Sequence, residues 1–250
     1  MSHPETGARQ GGAPQAAVSV SWRDRAGPDQ AGRQDGQARP AADQPHQPSA
    51  GAPAGELPPG QYIPASWPVL HYGPVPAFHP DTWDLRVLGA TASGHEHRWS
   101  WPELDALPRC RVVADFHCVT KFTVPGIAWD GIAAAEVLRA APPDDTVTHV
   151  MIWADYGYSA NLRIADFAAD DTLLATHRDG TELTPEHGYP LRRVVPSRYA
   201  WKSVKWVRAV EYLTRDRRGF WEERGYHNTA DPWREQRYSY QEGPGEGPPL

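Results

Sequence analysis

The sequence predicts an α+β fold built of mixed β-sheets, short helices and long loops. Three observations predict it. Apolar runs of strand type outnumber helical stretches. No regular β-α-β alternation and no internal repeat connects them. Pro, Gly and Trp crowd the connections, and ten of the eleven Trp lie after residue 60. That much indole goes with a tightly packed core carrying polar handles at its edges.

The chain opens on a different material. Residues 1–58 are rich in Pro, Gly, Ala, Gln and Asp and hold a single aromatic, Trp22. Such a segment buries too little apolar surface to offset its ordering entropy, so it is expected to be disordered. Trp83–Leu88 alternates and reads as a strand. Ser100-Trp101-Pro102-Glu103 is a capping box with Pro in the first turn, opening a short helix. Arg111–Phe116 reads as a buried strand, and Val124–Trp129 after it as a turn and loop. Asp130 is placed to cap a helix over Ile132–Ala141, stopped by Pro142-Pro143. Thr146–Ala154 is an apolar run expected as a central strand. A helical turn or two follows over Ile164–Ala169, then strands over Leu191–Val195 and Trp206–Leu213. The folded part is expected as one domain over 59–240, with 241–250 a flexible tail.

Composition narrows the function. A net charge of −6 argues against a nucleic-acid binder with a basic face. Two cysteines rule out a disulfide framework and a four-cysteine metal site. No stretch reaches the roughly 18 apolar residues of a membrane span. Neither an apolar leader nor a twin-arginine pair is visible near the start, so a soluble cytoplasmic protein is expected. His95-Glu96-His97 sits in a polar, Gly-flanked loop without partner cysteines and reads as solvent-exposed rather than as a zinc site.

Cys118 carries the most chemistry. It follows the Arg111–Phe116 strand and precedes loop. A thiol in that place can serve as a nucleophile or as a ligand for a soft or high-valent metal. It can equally be a small buried hydrophobe, the usual fate of a free cysteine. Lys202 and Lys205 alternate with Trp201, Ser203 and Trp206, which also describes a solvated strand edge. Asp155 can cap the turn after its strand.

Several motifs, in order, carry a resemblance. They are His117-Cys118-Val119-Thr120-Lys121, Trp129-Asp130-Gly131-Ile132 and Tyr158-Ser159-Ala160-Asn161-Leu162. His187-Gly188-Tyr189-Pro190-Leu191-Arg192 and Lys202-Ser203-Val204-Lys205-Trp206 follow, then Gly219-Phe220-Trp221-Glu222 and Asp231-Pro232-Trp233. Together, from about Tyr62 to Tyr238, the chain resembles the bacterial sulfite-oxidase-like oxidoreductases, single-domain members of the molybdopterin-dependent sulfite oxidase superfamily. The resemblance implies a sulfite-oxidase-type molybdopterin-binding domain over 59–240. It implies a mononuclear molybdenum centre in which Cys118 supplies the one protein ligand, beside the two dithiolene sulfurs of molybdopterin and oxo groups. His187, Arg192 and the Ser203-Val204-Lys205 stretch would hold the pterin. Lys121 and Lys202 would be further phosphate partners, Asp155 would contact the ring, and His71 and Tyr72 would line the other side.

The implied reaction is oxygen-atom transfer to or from a small substrate such as sulfite or a sulfoxide. Sulfite would need a cationic pocket, for which Arg163, Lys121 and Arg193 are candidates, with Arg163 taken as the catalytic one. A sulfoxide would need a more neutral pocket. Neither the haem domain nor the dimerisation domain of larger relatives is seen, so electrons are expected to pass through an external partner. Two other readings stay open: a metal-free thiol redox protein using Cys118, and a non-catalytic binding domain of the same fold.

Overall fold

The computed structural model describes residues 56–249. Most of the segment expected to be disordered, residues 1–58, lies outside the described residues.

Two sheets share the core. In the first, β1 (Asp84–Gly89) pairs antiparallel with β2 (His97–Ser100) on one side. On its other side it runs parallel to β10 (Val207–Leu213). Then β5 (His149–Ala154) and β6 (Ser159–Arg163) complete the sheet in the order β2-β1-β10-β5-β6. The second sheet joins β3 (Arg109–His117), β4 (Thr123–Ala133), β7 (Leu173–Arg178) and β8 (Thr181–Glu182), with β9 (Arg192–Val194) also on β7. One apolar cluster lies between them and includes Leu85, Val87, Ile132, Ile152, Leu174 and Val210. A smaller one of Phe116, Cys118, Phe122, Ile127, Trp129 and Val194 sits under the end of β3.

Three helices are short: α1 (Trp101–Asp105), α2 (Ala134–Ala140) and α3 (Ile164–Phe167). The capping box forms at Ser100 as expected, with Glu103 accepting from the Ser100 backbone N–H at 2.8 Å. Two expectations fail around Cys118. Val124–Trp129 is no loop but part of β4, an eleven-residue strand paired on both sides. A bulge opposite Asp115 absorbs Pro125 and Gly126, and the Asp115 carboxylate takes the freed Gly126 N–H at 2.8 Å. Asp130 caps nothing: it lies in β4 and grips Arg111 with both oxygens, at 2.7 and 3.0 Å. The helix starts later, behind Ala133, once the chain has left the sheet.

Strands β2, β6, β7 and β8 were not expected from local pattern. Pairing rather than propensity makes them, as in Ser159-Ala160-Asn161-Leu162-Arg163, which is held by β5. His97 opens β2 and packs on Trp99, ring centroids 4.1 Å apart, while His95 stays exposed. Among the described residues no cluster of His, Cys, Asp or Glu could hold a metal, and no helix is long and apolar enough to cross a membrane. Residues 241–249, expected as a free tail, are tied down. Glu242 pairs with Arg218 at 2.6 Å, and the Pro248 carbonyl accepts from Arg218 at 2.9 Å.

Candidate functional site

Where β3 runs out, the chain turns. Lys121 N–H donates to the Cys118 carbonyl at 3.0 Å and closes the turn, while Cys118 N–H donates to Phe122 O at 2.8 Å. Gln61, from the segment before the first sheet, donates its amide to the same Cys118 carbonyl at 3.1 Å. The sulfur is buried and accepts a hydrogen bond from the Thr120 hydroxyl at 3.1 Å. Four partners from two stretches of chain therefore fix Cys118.

Cys118 opens on a cavity of about 250 Å³. The strap Trp67–Tyr72 covers one side, and the His187–Arg192 segment and Ser203–Trp206 form another. Gly188 joins these walls. Its φ is +113°, and a Cβ there would stand 3.2 Å from the Cβ atoms of both Arg192 and Lys205. Only glycine lets the two cationic side chains share one wall.

The walls are cationic. Arg192 is buried, donates to His187 O at 3.0 Å and lies 4.6 Å over the Phe116 ring. Burial pushes its guanidinium down to about 9. Lys205 donates to the Leu70 and Glu186 carbonyls at 2.7 and 2.6 Å. Burial, then the charge of Arg192, pushes it down to about 7. His187 stacks on Trp67 with centroids 4.1 Å apart and meets Thr184 Oγ1 through Nδ1 at 2.9 Å. Burial, then Lys205 and Arg192, lowers it to about 4, so the imidazole is neutral at pH 7. Among the described residues no Asp or Glu side chain lines the cavity. Two polar atoms on its walls, Arg192 Nε and His187 Nε2, are buried without a hydrogen-bond partner. Buried polar atoms are almost always paired, so a cationic cavity with two orphans is built for an anionic ligand rich in hydrogen-bonding edges.

Of the residues singled out in the sequence, the cavity collects Cys118, His71, Tyr72, His187, Arg192, Ser203, Val204 and Lys205. It does not collect five others. Arg163 ends β6, and Tyr158, five residues before it, is the one at the cavity. Five extended residues span about 16 Å, which carries Arg163 away from the thiol. Asp155 lines a separate cavity with Trp83 and Arg208, and Arg208 takes its carboxylate at 3.3 Å. Lys121 sits exposed at the corner of the cysteine turn, at φ +75°. Lys202 is buried on Glu222 at 2.5 Å, which neutralises the charge a phosphate would need. Arg193, the other candidate for a cationic pocket, is buried and donates to Lys202 O at 2.7 Å. Alternation along β9 sends it to the face opposite Arg192.

The site also uses residues for which the sequence implied no role. Trp67, Thr120, Tyr158, Trp201, Trp221 and Tyr226 all line it. The aromatic C-terminal stretch supplies the last two. Thr120, Tyr158 and Trp221 stand in the motifs that carry the resemblance, and the density of Trp after residue 60 points to Trp67 and Trp201.

The oxidoreductase molybdopterin binding domain pattern matches residues 72–221, which include Cys118, His187, Arg192 and Lys205. The chain belongs to this family. The molybdopterin oxidoreductase is 39% identical over 188 residues to the uncharacterized oxidoreductase YuiH of Bacillus subtilis, covering 75% of this chain and 94% of that protein. It is 26% identical over 181 residues to the protein-methionine-sulfoxide reductase catalytic subunit MsrP of Gluconobacter oxydans, covering 62% of this chain and 56% of that one. The sulfane dehydrogenase SoxCD of Paracoccus pantotrophus superposes with a TM-score of 0.52 at 21% identity, over 58% of this chain and 41% of that one. That likeness shows the shared fold, the sulfite-oxidase-type α+β domain expected. The enzyme is a molybdenum-dependent oxidoreductase with molybdopterin as cofactor, and this sets aside the metal-free thiol reading. The residues present fit such a group: one thiol for the metal, two cations for a phosphate, and two orphaned buried atoms for ring edges.

Proposed function

We propose that the enzyme transfers an oxygen atom from a small neutral S-oxide, releasing a thioether. When bound, the molybdenum centre supplies two-electron oxygen-atom exchange, and the balance is sulfoxide plus two electrons and two protons to thioether plus water. An external donor brings the electrons. The protein's own work is holding and excluding. Cys118 holds the metal. Arg192, Lys205 and His187 bind the pterin, with Trp67 stacked behind the imidazole. Ser203 and Val204 brace that wall, for the Ser203 hydroxyl accepts from Val195 N–H at 3.0 Å and the Val204 carbonyl from Arg193 N–H at 2.8 Å. Tyr158 donates its hydroxyl to Trp201 O at 2.7 Å, which fixes the aromatic wall that keeps water from the thiol.

One observation carries the preference for a neutral substrate. Once the anionic cofactor occupies Arg192 and Lys205, no Lys, Arg, Asp or Glu side chain of the described residues remains on the cavity wall. A dianion such as sulfite would enter that space without a partner charge, and an unpaired buried charge is costly. The test is to supply the purified holoenzyme with reduced viologen and a dialkyl sulfoxide, and separately with sulfite and ferricyanide. Viologen oxidation that depends on the sulfoxide is expected. Sulfite-dependent ferricyanide reduction, with no turnover of any sulfoxide, would reverse the assignment.

A further inference from the structure

Thr120 donates its hydroxyl to the Cys118 sulfur at 3.1 Å. A threonine in a turn usually bonds a main-chain group. The Cys118 carbonyl, two residues back, already receives both Lys121 N–H at 3.0 Å and the Gln61 amide at 3.1 Å. The turn is also tied to Phe122 O through Cys118 N–H at 2.8 Å. The turn that carries donor and acceptor is therefore held by two main-chain hydrogen bonds and the Gln61 amide. Thr120 is itself exposed, so the core does not demand this residue type.

We propose that Thr120 is a positioning residue for the molybdenum centre. Its hydroxyl orients the Cys118 sulfur and withdraws electron density from it. A hydrogen bond to a ligand sulfur weakens that sulfur's donation to the metal and favours the reduced state. The bond therefore raises the potential at which the centre accepts electrons, which suits an enzyme that must be reduced by an outside donor. The inference rests on Cys118 being the metal's protein ligand.

The test is a redox titration of the Mo(V) paramagnetic signal in three holoenzymes: wild type, Thr120→Val and Thr120→Ser, each with its molybdenum content measured. Valine keeps the shape and removes the donor, and serine keeps the donor. The expected result is a midpoint shifted to lower potential in the valine variant and unshifted in the serine variant. Metal lost from the valine variant alone also supports the proposal, because the hydroxyl is then what holds the sulfur. A valine variant titrating with the wild type overturns it. So does a serine variant that shifts, or loses metal, as much as the valine one. Failure of the underlying ligand assignment looks different: Cys118→Ser would then keep the wild-type Mo(V) signal.

Discussion

Lys202 Nζ lies 2.5 Å from Glu222 Oε1, and both side chains are out of solvent. Asn161 supplies the ammonium's other acceptors, at 2.5 and 3.1 Å, and Trp201 Nε1 donates to the same glutamate at 3.0 Å. Trp201 lines the cavity, so this pair supports one of its walls from behind. Breaking a buried pair leaves a charge stranded. Lys202→Met is expected to destabilise the fold by about 3–5 kcal/mol, read from denaturant midpoints. A Lys202→Met/Glu222→Leu double variant should recover part of the loss. Equal stability of the single variant and wild type would show that the pair is hydrated.

Cys118→Ser is expected to abolish turnover and leave the circular dichroism spectrum unchanged. An oxygen ligand is harder than a thiolate and alters the metal's redox behaviour. Cys110, half-buried on β3, should tolerate the same change. Full activity in the Cys118 variant would reject its role.

Arg192→Ala and Lys205→Ala should yield folded protein with too little cofactor. Each loses a charge-assisted hydrogen bond to the anionic ligand, roughly 1.5–3 kcal/mol, or about ten- to a hundredfold in affinity. Metal and pterin analysis of the purified variants checks this. Full loading of either variant would make its side chain a structural cation only.

Lys205 also sets a pH dependence. Its folded value of about 7 lies below an ordinary 10.5. Between those values the unfolded chain holds more protons here than the folded one, so the contribution to stability rises with pH. In cofactor-free protein, the melting temperature of wild type minus that of Lys205→Met should grow from pH 7 to pH 9. A flat or falling difference would mean that the ammonium is fully solvated.

Gly131 allows β7 to approach β4. A Cβ there would meet the Leu174 carbonyl and stand 2.6 Å from Ala175 Cα, beside the register shift at Asp130. Gly131→Ala should cost about 1–3 kcal/mol, the usual range for overpacking. A thermal melt matching wild type would show that the bulge can open.

The α+β class, the family and the chemistry of the thiol were legible in the chain itself. They rest on local features: apolar runs, the Ser100 capping box, and motifs such as His117-Cys118-Val119-Thr120-Lys121 that keep their identity without neighbours. Strand β4 was not legible, because Pro125-Gly126 reads as a turn until Asp115 and β3 absorb it. Nor was the fate of the cations. Lys202, Arg193 and Arg192 look alike in sequence, yet the first two are claimed by buried acceptors and the third is left with an orphaned Nε at the cavity. Asp155 follows the central strand and Arg163 follows the Tyr158–Leu162 motif, but Arg208 and the length of β6 take them elsewhere. Residue types determine which chemistry a chain can hold. Which charge stays unpaired depends on partners distant in sequence, and only the tertiary fold decides that.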